Sequence, residues 1–165
     1  MLRNYDTKHW IDISDKFKVS SPISSISFNP KNTQEIFIST GLWYWGSFTK
    51  RPKTGEGLFK SSDGGENFVK LQNEFSSDLV PDVDVIGNTV YAVVHHAPES
   101  VDEWYGFFRS KDSGKSWQKL LDSRDKSKTD IQMLTHVAVS PNNENHLIVS
   151  SASVADKSPA FFVSF

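Results

Sequence analysis

Gly57-Leu-Phe-Lys-Ser-Ser-Asp-Gly-Gly-Glu-Asn-Phe68 and Gly106-Phe-Phe-Arg-Ser-Lys-Asp-Ser-Gly-Lys-Ser-Trp117 are two copies of one pattern, about 50 residues apart. Each sets two apolar residues and a basic one before a serine. An aspartate, a glycine and an aromatic follow at fixed intervals. A third copy begins at Ala160-Phe-Phe-Val-Ser164. Self-similarity at a fixed period is read first, because it decides the architecture.

Working outward, each repeat holds four short apolar segments. The first alternates with period two at Ile26/Phe28, Val83/Val85 and Val137/Val139. The second is Ile36 to Ile38, Val90 to Val94 and Leu147 to Val149. The third is Leu58-Phe59, Phe107-Phe108 and Phe161-Phe162, and the fourth is Phe68 to Leu71 and Trp117 to Leu120. Trp10-Ile-Asp-Ile13 matches the fourth, with its aromatic first and an apolar residue three later. Short segments rich in β-branched and aromatic residues, bounded by Gly, Pro, Asn and Ser, read as strands. No window of ten or more residues carries helical periodicity with caps. The chain is expected to be all-β. Four strands per repeat of about 50 residues predict β-propeller blades. A two-sheet sandwich competes, but it leaves the recurring four-segment order unexplained.

The composition narrows function. The chain has 165 residues and a net charge of −2, without the basic surplus that a nucleic-acid binder wants. With no cysteine it can build neither a disulfide framework nor a thiolate zinc site. No apolar run is long enough to span a bilayer, and Met1 to Trp10 lacks the apolar core of a signal peptide. A cytoplasmic location, no membrane contact and no cofactor are expected.

Ser61-x-Asp63-x-Gly65-x-x-Phe68 and Ser110-x-Asp112-x-Gly114-x-x-Trp117 resemble the Asp-box, or BNR repeat, of the consensus Ser-x-Asp-x-Gly-x-Thr-Trp. In the first copy Asn67 and Phe68 stand for the Thr and Trp. The residues suit a turn: a carboxylate accepts backbone amides across it, and glycine supplies positive φ. The eight residues are therefore read as structural. One carboxylate per box is too few for calcium. Gly114-Lys-Ser116 imitates the end of a phosphate-binding loop, but Arg109 stands where the leading glycine is required.

The resemblance implies blades of an Asp-box propeller of the glycoside-hydrolase or sortilin-like kind, about three of them. It places ligands on the face opposite the boxes, where the second and third strands of each blade are joined. Those joining loops are long, roughly 10 to 18 residues, and long loops without secondary structure of their own are more often functional. The first holds Trp43, Tyr44 and Trp45; the second holds His95, His96, Glu99, Asp102, Glu103, Trp104 and Tyr105; the third holds Asp156. The aromatics and the two histidines are the candidate ligand-binding residues. Flat aromatic faces suit sugar rings, and they equally suit protein partners. Glu99, Asp102, Glu103 and Asp156 are the candidate catalytic acids, should two of them pair for glycoside hydrolysis. His95 and His96 are adjacent at a strand end and point to opposite faces, so no metal site is expected.

Two functions follow as expectations. One is a carbohydrate-binding or carbohydrate-active segment, glycoside-hydrolase-like if it is an enzyme at all. A sialidase is disfavoured, because that family needs an arginine triad and the only arginines are Arg3, Arg51, Arg109 and Arg124. The other is a non-catalytic scaffold for a protein partner or for self-assembly. The segments divide the chain into an outer strand of a shared blade (1–13), two blades (14–71 and 72–120) and three strands of a further blade (121–165). Propellers close with about four to eight blades. Three blades are therefore expected to be part of a larger propeller, or half of a ring closed by a second copy.

Overall fold

The computed structural model describes residues 12–41, 55–72, 79–95, 106–122, 134–151 and 161–164. Those residues are all-β, with eleven strands and no helix. The first sheet is β1 (Ile23–Phe28), β2 (Ile36–Thr40), β3 (Leu58–Ser61) and β4 (Val69–Lys70). The second is β5 (Leu79–Ile86), β6 (Thr89–His95), β7 (Gly106–Ser110) and β8 (Gln118–Asp122). The third is β9 (Leu134–Ser140), β10 (Asn143–Ser151) and β11 (Phe161–Ser164). Each sheet is an antiparallel meander in chain order. The segment Trp10 to Ile13, read above as an outer strand, has Trp10 and Ile11 outside the described residues.

The register shows the repeat at single-residue level. Ile26 pairs with Ile38, which pairs with Phe59. Val83 pairs with Ala92, which pairs with Phe108. Val137 pairs with Val149, which pairs with Phe162. Each trio is one row across a sheet, at the same place in all three.

Alternation along the strands gives every sheet two apolar faces, and the sheets stack on them. Phe37 and Leu58 of the first sheet meet Val83, Val85, Ala92 and Phe108 of the second. Tyr91, Val93 and Phe107, on the reverse of the second sheet, meet Val137, Leu147 and Val149 of the third. Complete burial of a side chain of this size is worth about 1.5–3 kcal/mol. The first strands of the three sheets also lie against one another, β1 on β5 and β5 on β9.

The two outward faces of the stack differ. On the first sheet, Ile36, Ile38 and Phe59 are covered by Phe17, Val19 and Phe68. Ile26 and Phe28 remain half exposed, at 55% and 51%. On the third sheet, Ile148, Phe161 and Val163 are exposed, with no sheet over them among the described residues.

Candidate functional site

The two box sequences form two turns of the same construction, between β3 and β4 and between β7 and β8. In the first, Ser61 Oγ donates to Asp63 Oδ1 (2.8 Å) and accepts the amide of Gly65 (2.9 Å). Asp63 Oδ1 accepts the Asn67 amide (2.9 Å), and Oδ2 accepts Asn67 Nδ2 (2.8 Å). In the second, Ser110 Oγ donates to Asp112 Oδ1 (2.7 Å) and accepts the Gly114 amide (2.8 Å). Ser116 supplies amide and hydroxyl donors to Asp112, at 2.8 and 2.6 Å.

These donors set the acidity of both carboxyls. The side chain and then the amide of Asn67, followed by Ser61, hold Asp63 down to about 2. Ser116 and Ser110 hold Asp112 well below the ordinary aspartate value. Gly65 and Gly114 have φ of 93° and 89°, which only glycine adopts freely. Trp117 closes its turn by donating Nε1–H to the Gly114 carbonyl (3.1 Å) and packs against the core between the first two sheets. Every oxygen of both carboxylates is engaged in holding a turn, so neither is set up for proton transfer.

At the opposite end, β2 and β6 finish and β3 and β7 begin. The base of the first joining loop is clamped. Thr40 Oγ1 donates to the Gly57 carbonyl (2.8 Å) and accepts the Glu56 amide (2.8 Å). Glu56 Oε1 takes three donors, from the Ser20 amide (2.7 Å), the Ser20 hydroxyl (2.9 Å) and the Ser21 amide (3.0 Å). Burial would raise the Glu56 carboxyl, but the Ser20 and Ser21 donors outweigh it and hold it below the usual value. Gly41 opens the loop with φ 112°; a Cβ there would come within 2.4 Å of Leu79 Cδ1.

His95, a candidate ligand residue, ends β6 and is buried, 1% exposed. Its Nε2 lies 2.7 Å from the Leu134 carbonyl oxygen, tying the second sheet to the third. Burial pushes the ring down to about 4, so it is neutral near neutral pH. Trp43, Tyr44, Trp45, His96, Trp104 and Tyr105 lie outside the described residues, as do the candidate acids Glu99, Asp102, Glu103 and Asp156.

The sequence reading missed a second polar system, on the inner strand β5. There Asp82 and Asp84 fill the alternate phase between the core valines. Asp82 Oδ2 accepts the Val137 amide (2.9 Å), and Asp84 Oδ2 accepts the Val139 amide (2.7 Å), both from β9. Asp84 Oδ1 also takes the Ser27 hydroxyl of β1 (2.7 Å). Asn29 reaches the β5–β6 turn, giving Nδ2 to the Gly87 carbonyl and accepting the Gly87 amide, each at 2.9 Å. The Asp-Val-Asp-Val run was the available signal: acids cannot sit among buried valines unless something meets them.

Between the second and third sheets lies a cleft of about 250 Å³. Its walls include Tyr91, Phe107, Arg109, Leu121, Leu147 and Phe162.

No family model and no curated protein matches the chain. Solved structures do. The GH74 xyloglucanase from Xanthomonas campestris matches with a TM-score of 0.53 and 14% identity, over 86% of this chain and 22% of that one. A GH74 enzyme from Niastella koreensis matches at 0.50 and 10% identity, over 86% of this chain and 21% of that one. YCF48 bound to D1 peptide gives 0.49 and 14% identity, over 82% of this chain and 34% of that one. The chain thus spans about a fifth to a third of the length of these structures. The likeness to the two GH74 structures is one of fold, and the stacked meanders are β-propeller blades.

Proposed function

We propose that the chain is a segment of an Asp-box β-propeller that binds carbohydrate through the loop end opposite the box turns. The supporting observation is topological. The strands that bracket residues 42–54 and 96–105 end on the same side of two adjacent, packed sheets. The aromatic-rich sequences Trp43-Tyr44-Trp45 and Trp104-Tyr105 therefore leave from neighbouring blades. The Thr40–Glu56–Ser20 clamp gives the first of these loops a fixed base, which lowers the ordering cost of binding. One of the GH74 structures sharing this fold is a xyloglucanase, which makes xyloglucan oligosaccharides the first ligands to try. The segment boundaries 1–13, 14–71, 72–120 and 121–165 belong to this proposal, with the boxes as its structural turns.

Calorimetry and a glycan array with the full chain test it. Saturable binding that weakens at least tenfold in Trp104→Ala and Trp45→Ala supports the reading. The absence of binding to any glycan overturns it. Product release from a bound oligosaccharide, lost in Asp102→Asn or Glu103→Gln, would add hydrolysis to binding.

A second reading, a non-catalytic scaffold for protein contacts, is favoured by the exposed apolar face of the third sheet, where Phe161 is 73% exposed. Glycan silence together with a defined assembly would select it.

A further inference from the structure

We propose that a cleft at the box end of the three sheets binds a small hydroxylated ligand that carries a phosphate or sulfate group. The proposal stands apart from whatever binds at the loop end. The cleft measures about 440 Å³, within the size range of small-molecule sites. It lies where the turns between the first and second strands of all three sheets come together, and the second box turn adds to its rim. Lys31 comes from the β1–β2 turn, Asn88 from the β5–β6 turn and Lys111 from the box turn between β7 and β8. Asn142 and Glu144 come from the β9–β10 hairpin.

The walls are held in place before any ligand arrives. Asn29 Oδ1 accepts both the Lys31 amide (3.1 Å) and the Gly87 amide (2.9 Å), which joins the first turn to the second. The Ser113 amide donates to the Asn88 carbonyl (2.9 Å), which seats the box turn carrying Lys111 on the β5–β6 turn. Thr89 Oγ1 donates to Glu144 Oε2, and the Tyr91 hydroxyl donates to the Glu144 carbonyl (2.6 Å). These two bonds tie in the third sheet. A site fixed in this way loses little free energy to ordering on binding.

The cations on these walls are not used by the fold. Lys60 pairs with Glu35 and Lys16 with Glu66, whereas neither the Lys31 nor the Lys111 ammonium has a hydrogen bond or ion pair among the described residues. The box turn does not call for Lys111, because Ser62 stands at the same place in the first box. Two cations from different blades on one cleft attract an anion. Lysine meets the oxygens of phosphate and sulfate as a point charge. The rest of the wall selects the other half of the ligand. Asn88 Oδ1 accepts the Ser113 hydroxyl (3.4 Å), which leaves Nδ2 to donate into the cleft, and Asn142 adds a second amide. Glu144 repels a bare anion but accepts hydroxyls. The ligand that fits places an anionic ester at the lysines and hydroxyls beside Glu144, as a phosphorylated or sulfated monosaccharide does.

Calorimetric titration of the full chain with glucose 6-phosphate, glucose 6-sulfate, glucose and inorganic phosphate tests the assignment. At least one ester should bind saturably and more tightly than glucose or inorganic phosphate; the tighter ester identifies the group. Lys31→Ala and Lys111→Ala should each weaken that binding by roughly fivefold or more. Lys115→Ala, on the same box turn but outside the cleft, should leave it unchanged. Glu144→Gln removes the repelling charge and keeps an acceptor, so it should tighten inorganic phosphate. In amide NMR spectra the ester should shift Gly87, Asn88 and Thr89 most. Failure of both esters to bind overturns the proposal. So does glucose or inorganic phosphate binding as tightly as the esters, or an equal loss in Lys115→Ala, which would mark a diffuse surface charge.

Discussion

The Val139 amide of β9 donates to the Asp84 carboxylate of β5 across 2.7 Å, joining one blade to the next near their inner edge. The same carboxylate takes the Ser27 hydroxyl of the blade before it. One side chain therefore bridges all three blades.

Removing it leaves a partly buried amide and a hydroxyl unmet. Asp84→Ala is expected to destabilise the chain by about 1–3 kcal/mol, read from the midpoint of urea unfolding. Asp84→Asn keeps one acceptor oxygen and should lose less. An Asp84→Ala chain as stable as the parent would mean that the bridge carries no net stability.

The box turns make a paired prediction. Ser61→Ala and Ser110→Ala each remove an acceptor for a glycine amide and a donor to the box aspartate. Each should lower stability by about 0.5–1.5 kcal/mol. The two turns share no partner, so the double variant should show the sum of the two effects. Differential scanning calorimetry of the four chains checks both points.

His95 makes stability depend on mild acid. Its ordinary value is 6.5, and burial lowers it to about 4 in the folded chain. The unfolded chain therefore takes up the proton first as pH falls. The stabilising contribution is complete above pH 6.5 and declines as pH drops from there toward 4, by about 1–3 kcal/mol in total. In His95→Leu this limb of the stability–pH curve should flatten. Unfolding midpoints at pH 7.5, 6, 5 and 4 give the comparison.

Gly41 fixes the root of the first aromatic loop. Its φ is 112°, and Leu79 Cδ1 lies only 2.4 Å from where a Cβ would stand, so no side chain fits without movement. Gly41→Ala should destabilise by about 1–3 kcal/mol. If the loop binds glycan, affinity should fall with it, whereas Gly87→Ala, whose Cβ meets nothing within 4 Å, should leave affinity unchanged.

Much of the fold was legible because its causes are local. Alternating valines and isoleucines, Gly87-Asn88 at a tight turn, and Ser, Asp and Gly spaced to close one turn on itself all act within a few residues. The rows Ile26–Ile38–Phe59 and Val83–Ala92–Phe108 follow from that repetition. The inter-blade bridges were not legible in the same way. Asp84 meets partners 55 and 57 residues away, and Thr40 and Glu56 clamp a loop through the distant Ser20. His95 reads as a loop-end ligand residue in sequence, yet the approach of Leu134 encloses it.

The sequence by itself determined the strands, their order within each blade and the chemistry of the box turns, since those depend on neighbours along the chain. Only the tertiary structure decided which faces are buried and which acids are spent on structure. Those outcomes depend on stacking between sheets, where burial and hydrogen bonding join residues that no local pattern connects.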